Sequence, residues 1–438
     1  MTKINRHVLS ELSPEARQSL LIRAQGNFES VEERTREIID DLRARGDEAL
    51  IEYAERFDGA RLDPAGLLVT EEEFAEADKL VEPALRGAIE QAVENIRAHH
   101  RAQVPPKSWM DEHTPGVISG ERVIPVASAA LYVPRGKGSF PSVMMMLAIP
   151  ATLAEVPRIV ACTPPGPDGS IDAATLVAAK LCGIDRIYKM GGAQAIAALA
   201  FGTQSVERVD KIVGPGNQYV SAAKRLLYGS VDPGPPAGPS ESVILCDGNA
   251  DPEVVVRELL IEAEHGPDSA ALLVTDSEKL ANRVEELVPA LLANLPEQRR
   301  SFCESVLSGF GGIVITSGVD ESVDFTNNYA PEHLRVIVDR PFELLNRLVN
   351  AGEVLLGDHA SIAFGNFAIG MNAILPTGGS ARSYSCVGVE EFIKRSSFAY
   401  VSAEGARRLG PVAIELATYE GFPGHAAAAE FVLGRASQ

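Results

Sequence analysis

Lys211-Ile212-Val213-Gly214-Pro215-Gly216-Asn217, running on into Gln218 to Tyr228, is a short apolar strand, a glycine turn and a helix in unbroken succession. Glycines at a strand-to-helix turn let the backbone approach a phosphate, and a helix N-terminus favours an anion. The full G-x-G-x-x-G spacing is absent, so taken alone this is an ordinary tight turn. Its weight comes from repetition. Pro134-Arg135-Gly136-Lys137-Gly138-Ser139 follows the apolar run 129–133 and precedes an apolar helix, and Gly191-Gly192-Ala193-Gln194 ends the run 186–190. Three glycine-rich strand exits close in sequence point to one crevice at the carboxyl edge of a sheet.

The same alternation extends in both directions. Apolar runs at 129–133, 158–162, 186–190, 211–213, 242–246, 271–275, 312–316, 334–338 and 353–356 read as strands, with helical segments between most of them. Strand and helix in repeated alternation predict an α/β fold with parallel sheets covered on both faces. Before residue 123 the chain reads as helical. Val31, Ile38, Ile39, Leu42, Leu50, Tyr53 and Phe57 recur at helical spacing, with a break at Gly46, and a second amphipathic stretch runs from Glu71 to Arg101. His99 and His100 close that stretch and read as structural, favourably placed against the helix dipole. Asp232-Pro-Gly-Pro-Pro-Ala-Gly-Pro239 cannot continue a helix or a central strand, so it reads as a crossing between two lobes.

Composition narrows the function. The 438 residues suffice for two or three lobes, with 45% hydrophobic and 23% charged residues, an ordinary soluble mixture. The net charge of −20 disfavours nucleic acid and anionic membrane as partners. No stretch resembles a signal peptide, and the most apolar one, 143–156, is too short to span a bilayer. Five scattered cysteines read as thiols of a reducing cytoplasm rather than a disulfide or zinc framework.

The residues that carry chemistry stand around Ala330-Pro331-Glu332-His333-Leu334, just before an apolar strand. An imidazole with an ordinary pKa of about 6.5 can take a proton from an alcohol near neutral pH, and a neighbouring carboxylate can orient it or activate water. In Glu262-Ala263-Glu264-His265, the spacing of three puts Glu262 and His265 on one face of a helix, acceptable for a metal and equally acceptable for an amphipathic surface. Gly365-Asn366-Phe367-Ala368-Ile369-Gly370-Met371-Asn372 and Pro376-Thr377-Gly378-Gly379 follow. Glu420-Gly-Phe-Pro-Gly-His425 lies in the tail, where a lone histidine is usually surface decoration.

Together these segments resemble the histidinol dehydrogenase family, NAD-dependent enzymes that oxidise an amino alcohol through an aldehyde to histidine. The matching runs are Gly191-Gly-Ala-Gln-Ala-Ile-Ala-Ala-Leu-Ala-Phe-Gly202, Gly214-Pro-Gly-Asn217, Ala237-Gly-Pro-Ser-Glu241, Ala263-Glu-His-Gly-Pro-Asp268, Tyr329-Ala-Pro-Glu-His333 and Leu375-Pro-Thr377. They occur in the family's order across residues 30–430. The resemblance implies two Rossmann-like lobes with parallel sheets, a helical N-terminal segment and a C-terminal tail, akin to histidinol and aldehyde dehydrogenases. It implies an arm at 1–28, a metal and catalytic lobe at 29–128 plus 240–388, an NAD-binding lobe at 129–239 and a dimerisation tail at 389–438. Tyr132, Gln194 and Asn217 fall at NAD contacts, and Ser240 at a substrate contact. Glu332 and His333 fall at the acid/base pair: His333 takes the hydroxyl proton, and Glu332 activates the water that hydrates an aldehyde. Glu420 and His425 fall at substrate and metal positions of a tail that reaches into the partner's site, so a homodimer is implied.

Two departures bear on substrate and metal. The family holds zinc with Gln, His, Asp and His; here the positions are Glu262, His265, Asn366 and His425, so amide and carboxylate have exchanged places. Either set carries one negative charge, and the expectation is one zinc per chain, these four residues also facing the substrate with Ser240, His333 and Glu420. The alternative is that the metal is lost and Glu262 meets a cationic substrate. Ala373 stands where the family usually has a histidine, which opens space near the substrate. The expected activity is NAD-dependent oxidation of a small polar alcohol, with histidinol the best single named substrate. Its closest rival is a catabolic paralogue acting on another polyol or amino alcohol, as the family's dihydroxypropanesulfonate dehydrogenase does. A metal-dependent hydrolase has no use for a dinucleotide crevice, and a non-catalytic binding protein has none for an intact Glu332-His333 pair.

Overall fold

The computed structural model describes residues 4–23, 28–135 and 138–437, the side chains at 28 and 29 excepted. Gly136 and Lys137 of the second glycine-rich turn, and part of the expected arm at 1–28, lie outside the described residues. In chain order the strands are β1 (Arg6–Val8), β2 (Ser108–Thr114), β3 (Val117–Pro125), β4 (Ala129–Tyr132), β5 (Ile159–Thr163), β6 (Ile187–Lys189), β7 (Lys211–Val213), β8 (Glu241–Cys246), β9 (Ala270–Thr275), β10 (Gly312–Ile315), β11 (His333–Ile337), β12 (Glu353–Leu356) and β13 (Ile393–Val401). The chain divides into two compact units, 1–103 with 127–392, and 104–126 with 393–438.

The larger unit is α/β, as the alternation predicts. It holds two parallel sheets, one ordered β6-β5-β4-β7 and the other β1-β10-β9-β8-β11-β12. In the second sheet successive side chains part to opposite faces. Ile244, Leu273, Ile313 and Ile315 pack under the helices Pro252–Ala263, Glu278–Leu292 and Glu297–Ser308, while Val243, Leu245, Leu334 and Val336 pack with Val323, Phe325 and Tyr329 on the other side. Both faces are covered, which is why these strands read as continuous apolar runs.

The helix expectations hold in detail: Phe28–Arg45 breaks at Gly46 before Asp47–Tyr53, and the stretch from Glu71 resolves into Glu71–Leu80 and Pro83–Arg101. Their placement differs from the expected grouping of 29–128 with the catalytic lobe. Ile39, Leu42, Leu50 and Tyr53 pack with Ala130, Tyr132, Val160 and Ile212, on the sheet of the expected NAD lobe. His100 also differs in its reason. It is buried between Gln103 and Asn372, with Nδ1 2.7 Å from Gln103 Oε1 and Nε2 3.3 Å from Asn372 Nδ2, and burial lowers its pKa. It is held as a neutral ring that joins the helix to the segment before Ala373, so a charge against the helix dipole is not its role.

The smaller unit is an antiparallel sheet, β13-β3-β2, with the helices Ala403–Tyr419 and Pro423–Ala436 packed on each other. The expected tail boundary at 389 falls close to its start at 393, but the unit also takes in the hairpin 104–126. The five cysteines are free, four of them buried. Among the described residues no helix is long and apolar enough to cross a membrane.

Candidate active site

In the first sheet β4, β5 and β6 step outward in one direction and β7 returns on the other side of β4, so the order reverses between β4 and β7. Ligands of open α/β sheets bind outside the carboxyl ends at such a reversal. Tyr132 ends β4 there, and its hydroxyl accepts a hydrogen bond from the backbone N–H of Gly192 at 3.0 Å. Gln194 is buried in the first turn of the helix Gly192–Phe201. Asn217 is exposed and caps the helix Gln218–Leu226 by accepting from the N–H groups of Tyr219 and Val220 at 3.0 and 3.1 Å. Gly214 has φ +136°, and a Cβ there would fall 2.1 Å from the carbonyl oxygen of Tyr132, so only glycine lets these two strand exits touch. Buried Lys224 donates to the Gly214 carbonyl at 2.6 Å, and burial pulls its pKa down to about 8. Lys224 escaped the sequence reading because a lysine inside an amphipathic helix reads as surface.

The second cluster sits at the opposite kind of edge. Glu241 starts β8, His333 starts β11 and Glu353 starts β12, so these side chains gather at the amino ends of neighbouring strands, where the helix Pro252–Ala263 also ends. Ala330, with φ +52°, closes the preceding helix Val319–Tyr329 and turns Glu332 and His333 inward. The two do share one cleft: His333 Nε2 lies 3.8 Å from Glu332 Oε1 and 3.7 Å from Glu262 Oε1. The backbone N–H of Glu241 donates to Glu332 Oε2 at 2.8 Å. Behind it Arg23 lies over the Tyr329 ring and reaches Glu241 Oε1 at 3.1 Å.

His265 is not on the helix face expected for it; the helix ends at Ala263 and His265 follows in the turn. It still meets Glu262, with Nδ1 2.9 Å from Glu262 Oε2 and 2.9 Å from Ser240 Oγ. Asn366, on the short helix Ile362–Phe367, donates to Glu262 Oε1 at 3.2 Å. The structure thus brings Ser240, Glu262, His265, Glu332, His333 and Asn366 together. Glu420 and His425 belong to the smaller unit, where both are exposed and His425 leans on Phe422.

The electrostatics follow from crowding. Burial works to raise the Glu262 carboxyl, but the imidazoles of His333 and His265 outweigh it and hold it well below the usual range. Burial pushes Glu332 far up, with Glu262 adding to it and His333 opposing. Burial alone would lower His333, yet Glu262, Glu332 and Glu353 raise it well above an ordinary histidine. Glu262, Glu332 and His333 also form a group whose ligating atoms lie within 4.8 Å of one another, so Glu262 is shared between two potential donor sets.

A family model described as histidinol dehydrogenase matches residues 21–433. The chain belongs to the histidinol dehydrogenase family. A histidinol dehydrogenase of Synechocystis sp. is 47% identical over 98% of each chain, and a histidinol dehydrogenase homolog of Cereibacter sphaeroides is 49% identical over 97% of each. The crystal structure of histidinol dehydrogenase from Elizabethkingia anophelis superimposes with a TM-score of 0.93 at 34% identity, covering 99% of both chains. Membership in the histidinol dehydrogenase family thus rests on sequence and fold alike.

Proposed function

We propose that this chain oxidises a small polar alcohol with NAD as hydride acceptor, and that histidinol is its first candidate substrate. The observation that carries the reading is His333, buried among carboxylates with Nε2 turned to the cleft. His333 Nε2 would take the hydroxyl proton, and loss of that proton together with the C–H hydride would leave an aldehyde. Glu332 then takes a proton from water adding to that aldehyde, and a second hydride transfer from the hydrate yields the acid. NAD supplies only the hydride acceptor; Tyr132, Gln194 and Asn217 would hold it. The decisive assay is NAD reduction by the purified protein with histidinol and a panel of polar alcohols, counting NADH per alcohol. Two per molecule supports oxidation to the acid, one means arrest at the aldehyde, and none with any alcohol refutes the reading.

The donor set fits a divalent cation. Buried Glu262 has the His265 imidazole 2.9 Å from Oε2 and the Asn366 amide 3.2 Å from Oε1, with the Glu332 carboxylate in the same cluster, and buried carboxylates this crowded are costly unless positive charge faces them. Glu262, His265, Asn366 and the tail's His425 would hold zinc, which when bound lends positive charge to the alcohol oxygen. The tail is proposed to complete a partner's site in a homodimer, since its paired helices expose Val412, Leu416, Tyr419, Phe431 and Val432. Light scattering at twice the mass of one chain supports this, and a monomer refutes it.

A second reading, oxidation of a polar alcohol other than histidinol, rests only on the sequence departure at Ala373, which follows the buried Asn372–His100 contact. A higher kcat/KM for another member of the panel than for histidinol establishes it. Asn217→Ala and Gln194→Ala should each weaken NAD binding about tenfold without changing metal content, because both lie at exits of the first sheet. Calorimetric titration with NAD checks this, and unaltered affinity in both variants moves the cofactor elsewhere.

A further inference from the structure

His333 has a second carboxylate partner behind the ring. Glu353, the first residue of β12, is the register partner of His333 on the parallel neighbour β11, and its Oε1 lies 2.6 Å from His333 Nδ1. Both side chains are 3% exposed, so this hydrogen bond is shielded from water. A carboxylate accepting from an imidazole N–H makes a short, charge-assisted bond, stronger than a neutral one. On the other side of the ring, Nε2 is 3.7 and 3.8 Å from the nearest oxygens of Glu262 and Glu332, too far for a hydrogen bond to either.

We propose that Glu353 is a positioning residue, holding Nδ1–H so that Nε2 of His333 points at the alcohol. A histidine free to flip would present either nitrogen, or the wrong tautomer, to the substrate. An orienting carboxylate removes that choice, the part played by the third member of hydrolase triads. The surroundings are shaped for it. A Cβ at Gly365 would lie 3.0 and 3.1 Å from the two Glu353 oxygens, so the absent side chain there leaves room for the carboxylate. Oε2 of Glu353 has no hydrogen-bond partner among the described residues, so the group is anchored chiefly through His333.

The proposal rests on His333 being the proton acceptor, and the experiment separates the two. Full-length wild type, His333→Ala, Glu353→Ala, Glu353→Gln and Gly365→Ala are compared for kcat, KM for alcohol and NAD, zinc per chain and melting temperature. Glu353→Ala is expected to lower kcat by about a hundredfold with KM for NAD unchanged, the scale of losing the orientation of a catalytic base. Glu353→Gln should recover about tenfold of that, because its carbonyl oxygen still accepts from Nδ1, and this rescue order is one that a packing role would not produce. Gly365→Ala, which presses on the carboxylate without removing it, should lower kcat with unchanged KM for NAD. If Glu353→Ala does not fold, the isosteric Gln and the Gly365 variant carry the test. Near-normal kcat in the foldable Glu353 variants beside an inactive His333→Ala overturns the positioning role alone. An active His333→Ala overturns the base assignment instead. Loss of zinc in Glu353→Gln also overturns the proposal, since it makes Glu353 a ligand.

Discussion

His333→Ala is expected to lower kcat by at least about a hundredfold while NAD affinity and zinc content stay at the wild-type level. Removing the imidazole removes the group proposed to accept the hydroxyl proton. Glu262 is held well below the usual carboxylate range and is a correspondingly weak base, and the role proposed for Glu332 lies in the later water step, so neither replaces it. NAD affinity should be unaffected, because Tyr132, Gln194 and Asn217, the residues proposed to hold NAD, stand at the exits of the other sheet. The pH dependence follows from the sign of the shift. An imidazole whose pKa is raised stays protonated to higher pH, and in that form Nε2 accepts nothing. Activity should therefore climb with pH along a limb above the ordinary histidine value of about 6.5. A cation facing Glu262 opposes the shift, so removing metal should move the limb further up. Near-normal turnover in His333→Ala, or a limb at or below the ordinary value in wild type, refutes the assignment.

The parallel sheets were legible because their strands are covered on both faces and so are apolar throughout, and each of the nine expected runs appears within one residue or so of its expected ends. The antiparallel sheet was not. Ser108–Thr114 reads Ser-Trp-Met-Asp-Glu-His-Thr and is exposed over nearly its whole length, leaving no alternation to detect. β1 is three residues at a sheet edge. Periodicity showed that 28–53 is helical, but a helix records only that it has an apolar face, not which sheet that face covers. In the candidate site, the pairs Glu332-His333 and Glu262/His265 were legible as a cluster because each pair is close in sequence and chemically unusual together. The contact of Glu353 with His333 was not legible for the converse reason: they meet only through strand pairing twenty residues apart, and strand order cannot be read from one chain. A carboxylate opening an otherwise apolar strand, Glu353-Val-Leu-Leu356, was the one available signal.

Glu262→Gln is expected to strip most of the zinc from the protein, whereas Glu262→Gln with Asn366→Asp is expected to retain it. Charge at fixed donors makes the difference. Glu262 faces both His265 and the Asn366 amide, so these residues would offer a cation a carboxylate, an imidazole and, with the amide turned over, an amide oxygen. Replacing Glu262 alone leaves only neutral donors, and a divalent ion loses the group that offsets its desolvation. The second change returns the charge to the opposite position. Asn366→Asp alone adds a charge and should tighten binding. The rival donor set, Glu262 with Glu332 and His333, predicts otherwise: it loses zinc in His333→Ala and keeps it in His265→Ala, while the set proposed here does the reverse. Glu262 also raises the His265 pKa against the opposing effect of burial, so protons compete with the metal and occupancy should fall as pH drops through the histidine range. Elemental analysis of the wild type and these variants decides among the alternatives. A wild type that stays metal-free after zinc supplementation makes Glu262 the partner of a cationic substrate, and Glu262→Gln should then raise KM for a cationic alcohol while leaving KM for a neutral one unchanged.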